Sequence, residues 1–178
     1  MEPAELSLTE HAVLGLLAEG PSHGFALARA LQPGSPVGRI LTVRRPLVYR
    51  ALGRLVAAGL AASVRREAGD AGPERVIHRI TPRGRKGLER WLAQPVEHVR
   101  DLRLEFLVKL VLLQRSGASP AALVALQRAA LHDALAALEE GAGDLTDPVE
   151  LWRAHNAAAA STFLAHLAGM HPVAGDGP

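Results

Sequence analysis

The 178-residue chain contains no cysteine, and only 3% of its residues are aromatic. The absence of cysteine excludes disulfide bonds, thiol nucleophiles and cysteine-bound zinc, and is compatible with a reducing cytosol. So few aromatic residues do not outline an obvious ligand pocket. No apolar run approaches the roughly 18 to 20 residues that cross a bilayer, and the opening segment MEPAELSLTEH lacks the composition of a signal peptide. We therefore expect a cytoplasmic protein without a membrane partner.

The sequence also lacks the residue spacings of common catalytic and metal sites. Its eight histidines are scattered along the chain, and none belongs to an HExxH motif or has the spacing of a nucleophile or metal partner. The glycines form neither a GxGxxG fingerprint nor a phosphate-binding loop. Glu139 and Glu140 are predicted to be a surface pair at a helix end. The sequence thus predicts a protein that is not an enzyme and that binds no metal or cofactor.

Charge is distributed unevenly between the two halves of the chain. Residues 1–94 contain 14 Lys and Arg against 8 Asp and Glu, a net charge of +6, whereas residues 95–178 contain 6 against 10, a net charge of −4. Such asymmetry indicates a polyanion-binding module joined to a second part. Eighteen of the 20 cationic side chains are arginine, whose planar guanidinium suits phosphate groups and guanine edges.

The basic half has the element order of a winged helix-turn-helix domain. Capping and helix-breaking residues predict helices up to about residue 19, over about 23–31 and over about 46–58, with Ser22 capping the second helix. The segments ASVRRE and RVIHRI then predict two strands of a hairpin around the turn-forming AGDAGP. Thr81 and Pro82 open a further helix that extends to about residue 92.

The segment ILTVRRPLVYRALGRLVAAGL (residues 40–60) contains the predicted recognition helix. Its core-facing side chains follow helical spacing and are Val48, Ala51, Leu52, Leu55 and Val56. The remaining face is cationic and carries one tyrosine hydroxyl, so we expect it to reach guanine edges and phosphates in the major groove. The residues predicted to bind DNA, on this helix and on the wing, are Arg44, Arg45, Tyr49, Arg50, Arg54, Arg66 and Arg75.

Residues 95–169 predict helices with more apolar faces than three helices can bury among themselves. A second subunit related by two-fold symmetry would cover these faces. The residues predicted to form the dimer are Leu104, Leu107, Val108, Val111, Ala158 and Phe163. Trp152, His155 and Asn156 lie close together on the last helix, where two interpretations stay open: they line an interhelical cavity for a small-molecule effector, or they are residues of the helix surface.

Three ordered blocks of the sequence resemble the PadR family of bacterial transcriptional regulators. These blocks are LGLLAEGPSHGFALARAL, RRPLVYRALGRLVAAGL, and ITPRGRKGLERWLAQPV followed by RDLRLEFLVKLVLL. The resemblance runs from about residue 8 to residue 113 and implies a DNA-binding homodimer, usually a repressor, whose C-terminal helices form the dimer and can respond to a small molecule. The long second half is similar to the larger-tailed branch of that family. Family members often carry serine or threonine where Arg44 stands, so the helix cap either passes to Thr42 or is absent.

The sequence therefore predicts a mainly α fold with a small β-hairpin wing. A winged helix-turn-helix domain occupies residues 1–94, a helical dimerisation and effector domain residues 95–169, and a disordered tail residues 170–178. The predicted function is a sequence-specific, dimeric transcriptional repressor that binds an inverted-repeat operator in double-stranded DNA and is relieved by an effector. The alternative that stays open is a winged-helix module that binds protein or carries a ligand without binding DNA.

Overall fold

The computed structural model of the chain describes residues 6–67, 75–140 and 146–171. Its elements in chain order are α1 (Leu8–Glu19), β1 (Ser22–His23), α2 (Gly24–Ala30), α3 (Arg45–Ala57), β2 (Ala61–Glu67), β3 (Arg75–Ile80), α4 (Pro82–Ala93), a 3-10 helix (Val99–Arg103), α5 (Glu105–Arg115), α6 (Ala121–Glu140) and α7 (Pro148–Met170). The predicted turn at the wing tip and nearly all of the predicted disordered tail lie outside the described residues.

The described residues form two compact units. One lies within Met1–Trp91 and Val108–Ser116, and the other within Leu92–Leu107 and Gly117–Pro178. The first division falls between Trp91 and Leu92, near the predicted boundary at residue 94, which assigns all of α5 to the second domain. In the structure most of α5 belongs to the winged unit, so that unit is built from two separate stretches of sequence.

The winged unit begins with a capping box at α1. Ser7 caps this helix, and the carboxylate of Glu10 accepts hydrogen bonds from the Ser7 backbone N–H at 2.7 Å and from its hydroxyl at 2.8 Å. These bonds satisfy donors that the first turn of a helix leaves open. Glu10 is buried, and its other carboxylate oxygen lies 3.0 Å from the guanidinium of Arg54 on α3.

A three-stranded antiparallel sheet forms the wing, with β3 between β1 and β2. The two predicted strands are confirmed, whereas the two-residue strand β1 was not predicted because it is too short to show alternation. Since Ser22 lies in β1, the prediction that Ser22 caps α2 is wrong. His23 is the cap instead, and its Nδ1 accepts the Ala26 backbone N–H at 3.1 Å.

Helix α5 packs into the winged unit through its apolar and cationic side chains. Leu112 lies against Gly15 of α1, where an added Cβ would come within 2.5 Å of the leucine. Arg115 makes two contacts of 2.6 Å with the carboxylate of Glu19. Two of the predicted dimerisation residues, Val108 and Val111, are 0% and 8% exposed in the single chain. They lie in the core of the single chain, and their role in the dimer stays a prediction.

In the second unit, α6 and α7 pack together beside the 3-10 helix. Asp147 caps α7, since its carboxylate accepts the Val149 backbone N–H at 2.8 Å. Gln127 of α6 is fully buried and bonds both backbone groups of Val96, accepting its N–H at 2.7 Å and donating to its carbonyl at 3.0 Å. This pair of bonds fixes the segment after α4 to α6.

Helix α6 differs from the expectation that no apolar segment approaches the length needed to cross a bilayer. Among the described residues, it is the one helix that is long enough, at 20 residues, and apolar enough to cross a membrane. An apolar helix in the core of a water-soluble protein can have the same length and composition. Leu126, which is 51% exposed, lies on the uncovered side of this helix.

Two glycines of α4 give a matched test of the packing between this helix and the wing. A Cβ at Gly84 would collide with the backbone carbonyl of Leu60, whereas a Cβ at Gly87 would meet nothing within 4 Å. We expect Gly84→Ala to lower the free energy of unfolding by about 1 to 3 kcal/mol through overpacking. Gly87→Ala should raise it by about 0.5 to 1 kcal/mol through helix propensity. Urea unfolding followed by circular dichroism measures both, and equal effects at the two positions would contradict this packing.

Candidate nucleic-acid interface

Helix α3 presents one apolar and one polar face. Its apolar side chains are buried as predicted at Val48, Ala51, Leu52 and Leu55, while Val56 is only half-buried. Because these residues fix the rotation of the helix, its other face is directed to solvent. The exposed residues of this polar face and its approach are Arg44, Arg45, Tyr49, Arg50, Gly53 and Arg54.

The start of α3 has no side-chain cap. Arg44 occupies the cap position without a capping hydrogen bond, and Pro46 stands in the first turn. The hydroxyl of Thr42 donates to the carbonyl of Gly38 at 2.7 Å, so Thr42 does not replace the missing cap. Of the two possibilities predicted for this position, the structure shows the absent cap.

An open groove of about 900 Å³ lies between α3 and the wing. One side is formed by the beginning of α2 and the exposed face of α3, and the other by β2 and β3. Its polar lining is dominated by cationic and imidazole side chains, namely His23, Arg45, Arg65, Arg66, Arg75 and His78. The structure thus brings Arg45, Tyr49, Arg66 and Arg75, four of the predicted DNA-binding residues, to a single groove.

Tyr49 occupies this groove because α2 begins with glycine. An added Cβ at Gly24 would lie 2.5 Å from Cε1 of the tyrosine ring, so only a residue without a side chain permits this approach. The ring is 48% exposed. The contact between Gly24 and Tyr49 therefore sets where the tyrosine side chain lies on the surface of α3.

The cationic side chains of this surface differ in their partners. Arg54 pairs with the buried Glu10, and Arg65 lies 2.6 Å from Glu67 on its own strand. Among the described residues, no carboxylate pairs with Arg44, Arg45 or Arg50. Sequence reasoning placed Arg54 with the other helix arginines, but its charge is offset by a partner that lies 44 positions earlier in the chain.

Phe25 is a residue of this surface that sequence reasoning did not single out. It is 45% exposed at the start of α2, and the guanidinium carbon of Arg45 lies 4.8 Å from the centre of its ring. The imidazole of His23 stacks on the Phe25 ring, with ring centres 6.3 Å apart. An aromatic residue directly after the histidine and glycine of SHGF is the only sequence signal for this cluster.

Comparison with known proteins relates part of the chain to a known family. The model of the transcriptional regulator PadR-like family matches residues 13–90, which run from within α1 through most of α4. This stretch of the chain, residues 13–90, is similar to the PadR-like family. The family consists of transcriptional regulators and not of enzymes, and the observed helices and wing are those of its winged helix-turn-helix fold.

Two solved structures are similar to this chain over most of its length. The first is the Bacillus subtilis PadR in complex with operator DNA, which has 20% sequence identity to this chain. The alignment covers 92% of this chain and 99% of that protein, with a TM-score of 0.47. The smu.1604c protein of Streptococcus mutans UA159 is 18% identical, covers 90% of this chain and 96% of its own, and gives a TM-score of 0.44. No curated protein sequence matches the chain.

The predicted residues of the second half lie mostly on exposed surface. Leu104, Ala158 and Phe163 are exposed, and Leu107 is half-buried. The predicted effector residues Trp152, His155 and Asn156 are exposed as well, so they line no enclosed cavity within one chain. The side chains of His155 and Asn156 bond the carbonyl groups one turn earlier, at 2.8 and 2.7 Å.

The burial of His78, in the middle strand of the wing, predicts how the free energy of unfolding depends on pH. Burial lowers the pKa of His78, and a backbone hydrogen bond with Val76 offsets this effect in part. The unfolded chain therefore binds a proton at this residue more readily than the folded chain does. We expect the free energy of unfolding to be highest above the usual histidine pKa of about 6.5 and to fall as the pH drops from there through the lowered pKa.

Urea unfolding between pH 5 and pH 8 tests this dependence. His78→Gln should flatten the decrease at acid pH, because the residue no longer binds a proton. His132→Gln, at an exposed position of α6, is the matched control and should leave the decrease unchanged. The same pH profile in the wild type and in His78→Gln would assign the effect to other groups.

Proposed function

We propose that the protein is a sequence-specific transcriptional regulator that binds double-stranded DNA through α3 and the wing. The unpaired arginines at the start of α3 carry this proposal. Arg44, Arg45 and Arg50 are exposed, and no described carboxylate pairs with them, so their guanidinium groups have donors available for phosphates and guanine edges. A helix of this kind fits the major groove with its N-terminal residues towards the bases.

The wing adds cations on the opposite side of the groove from α3. Arg66 and Arg75 lie on adjacent strands, where Arg66 is opposite Val76 and Glu67 is opposite Arg75. Contacts to phosphates fix the orientation of a protein on DNA without reading sequence. We assign this role to Arg66, Arg75 and the hydroxyl of Tyr49, and we assign base recognition to Arg45 and Arg50.

We further propose that the second unit forms a homodimer. Large apolar side chains are exposed on this unit of the single chain: Leu104 (39%), Leu126 (51%), Val149 (54%), Trp152 (70%) and Phe163 (37%). Exposed apolar residues in such number mark an association surface. Two-fold association would place two α3 helices on half-sites about 34 to 36 Å apart, or a multiple of this distance, so the operator would be an inverted repeat.

Repression is the regulatory outcome that we propose for such a dimer. A protein seated over two major grooves of a promoter excludes other proteins from the same DNA. Trp152, His155 and Asn156 stay the predicted effector site, which a second subunit would have to enclose because one chain leaves these residues exposed.

Single substitutions on α3 test DNA binding. Arg45→Ala and Arg50→Ala should each weaken binding to the operator by about 1 to 3 kcal/mol if the lost contact is bidentate to a base. Tyr49→Phe should weaken operator and mixed-sequence DNA alike, because a phosphate contact carries no sequence information. Fluorescence anisotropy with a labelled duplex from upstream of the protein's own gene measures these changes.

The control for these variants is Arg128→Ala, which removes an exposed arginine of α6 in the second unit. This variant should bind DNA as the wild type does. The wild type should also show the steep decrease of affinity with salt that phosphate contacts produce. Unchanged affinity in all three α3 variants, together with a weak salt dependence, would favour the alternative of a protein-binding winged helix.

Charged substitutions in the second unit test the dimer. Leu126→Asp and Phe163→Asp should each convert a dimer to a monomer, because an unpaired carboxylate is costly to bury in an apolar interface. Both positions are exposed in the single chain, so the fold of the monomer should survive. Light scattering coupled to size-exclusion chromatography gives the molecular mass of each variant.

Val64→Asp is the matched control for these variants, since it makes the same kind of change at an apolar residue of the wing that is 41% exposed. It should leave the dimer intact. A wild-type protein that is monomeric at micromolar concentration would overturn the dimer proposal, and so would a dimer that both charged variants preserve.

A further inference from the structure

Arg45 is the first residue of α3, and its guanidinium lies over the ring of Phe25 from α2. We propose that Phe25 is a positioning residue that orients Arg45 for base recognition and thereby contributes to the sequence specificity of the protein. This inference rests on the proposed DNA-binding function, and it adds a residue from outside the recognition helix to the recognition site.

The first argument is the position of the pair on the surface. Phe25 and Arg45 both line the groove between α3 and the wing, and both also line a second groove of about 390 Å³ beside α2. The second groove contains two further exposed arginines, Arg29 and Arg44. The stacked pair therefore forms the ridge between two cationic grooves. If the phosphates of a bound duplex lie in both grooves, the stacked pair of Phe25 and Arg45 between them faces the base edges.

The second argument is that the fold makes little use of the Phe25 ring. The side chain is 45% exposed, whereas its neighbours Gly24 and Leu27 on the same helix are buried. The ring stacks on His23 and on the guanidinium of Arg45, both of which line the groove. An aromatic residue left in this position serves the surface and not the core.

The third argument concerns the entropy of the arginine side chain. An exposed arginine has many rotamers, and ordering it on DNA costs part of the binding free energy. A guanidinium stacked on an aromatic ring is already restricted in orientation, and its planar donor groups stay available at the edge. Phe25 thus prepares Arg45 for a bidentate contact.

Matched substitutions at both positions test the inference. An operator is first selected from random duplexes with the wild-type protein, and affinities for it and for mixed-sequence DNA are then measured. Phe25→Leu keeps the apolar volume but removes the ring, and we expect about a 3- to 30-fold loss of operator affinity, the range of a cation–π contact that becomes desolvated. Affinity for mixed-sequence DNA should not change, because the net charge is the same. Phe25→Tyr, which retains the ring, should bind the operator as the wild type does.

A double-mutant cycle with Arg45→Ala shows whether Phe25 acts through the arginine. In the Arg45→Ala background, Phe25→Leu should cause no further loss. The full additional loss in that background would overturn the positioning role, since Phe25 would then contact DNA independently of Arg45. Equal losses on operator and mixed-sequence DNA would overturn it too, as would Phe25→Tyr binding no better than Phe25→Leu.

Thermal unfolding of each variant separates a local effect from a loss of structure, and Phe25→Leu should unfold within a few degrees of the wild type. Normal operator binding by the wild type together with an unaffected Phe25→Leu would overturn this inference alone. A wild-type protein that binds no duplex at any salt concentration would overturn the proposed function and, with it, this inference.

Discussion

The buried carboxylate of Glu10 is the interaction on which the winged unit depends. It closes the capping box with Ser7 at the start of α1 and reaches Arg54 on α3 with its other oxygen. A buried carboxylate without partners would be costly, so the two helices must keep the arrangement that provides them. The buried apolar stripe of α3 fixes the rotation of this helix, and the contact with Glu10 agrees with that rotation. The orientation of the exposed arginines is a consequence of this packing.

The arginines of the winged unit differ in role. Some pair with carboxylates and stabilise the fold, and others have guanidinium donors available for a ligand. Arg54 and Arg115 are tied to Glu10 and Glu19, and their pairing holds helices together. Arg44, Arg45 and Arg50 have no such carboxylate among the described residues. Composition alone treats all of these side chains as equal. They differ in whether the fold places an acidic side chain from a distant part of the sequence next to the guanidinium.

Much of the fold was predictable because its signals are local. Capping residues and prolines set the limits of α1, α3, α4 and α7, and helical spacing identified the buried face of α3. The rest depends on contacts between distant segments. Strand β1 exists only because β3 pairs with it, and the apolar stripe of α5 indicated burial without showing that the winged unit provides it. The stacking of Arg45 on Phe25 joins residues 20 positions apart and leaves no periodic trace in the sequence.

The return of α5 to the winged unit has a consequence for how the protein is made. Residues 108–116 are part of that unit, yet the ribosome synthesises them after the 3-10 helix of the other unit. A nascent chain that has exposed only its first 91 residues still lacks Leu112 beside Gly15 and Arg115 beside Glu19. Domains fold as units during synthesis. The winged unit is therefore completed only once translation has passed the first part of its companion, which delays a native DNA-binding surface on unfinished chains.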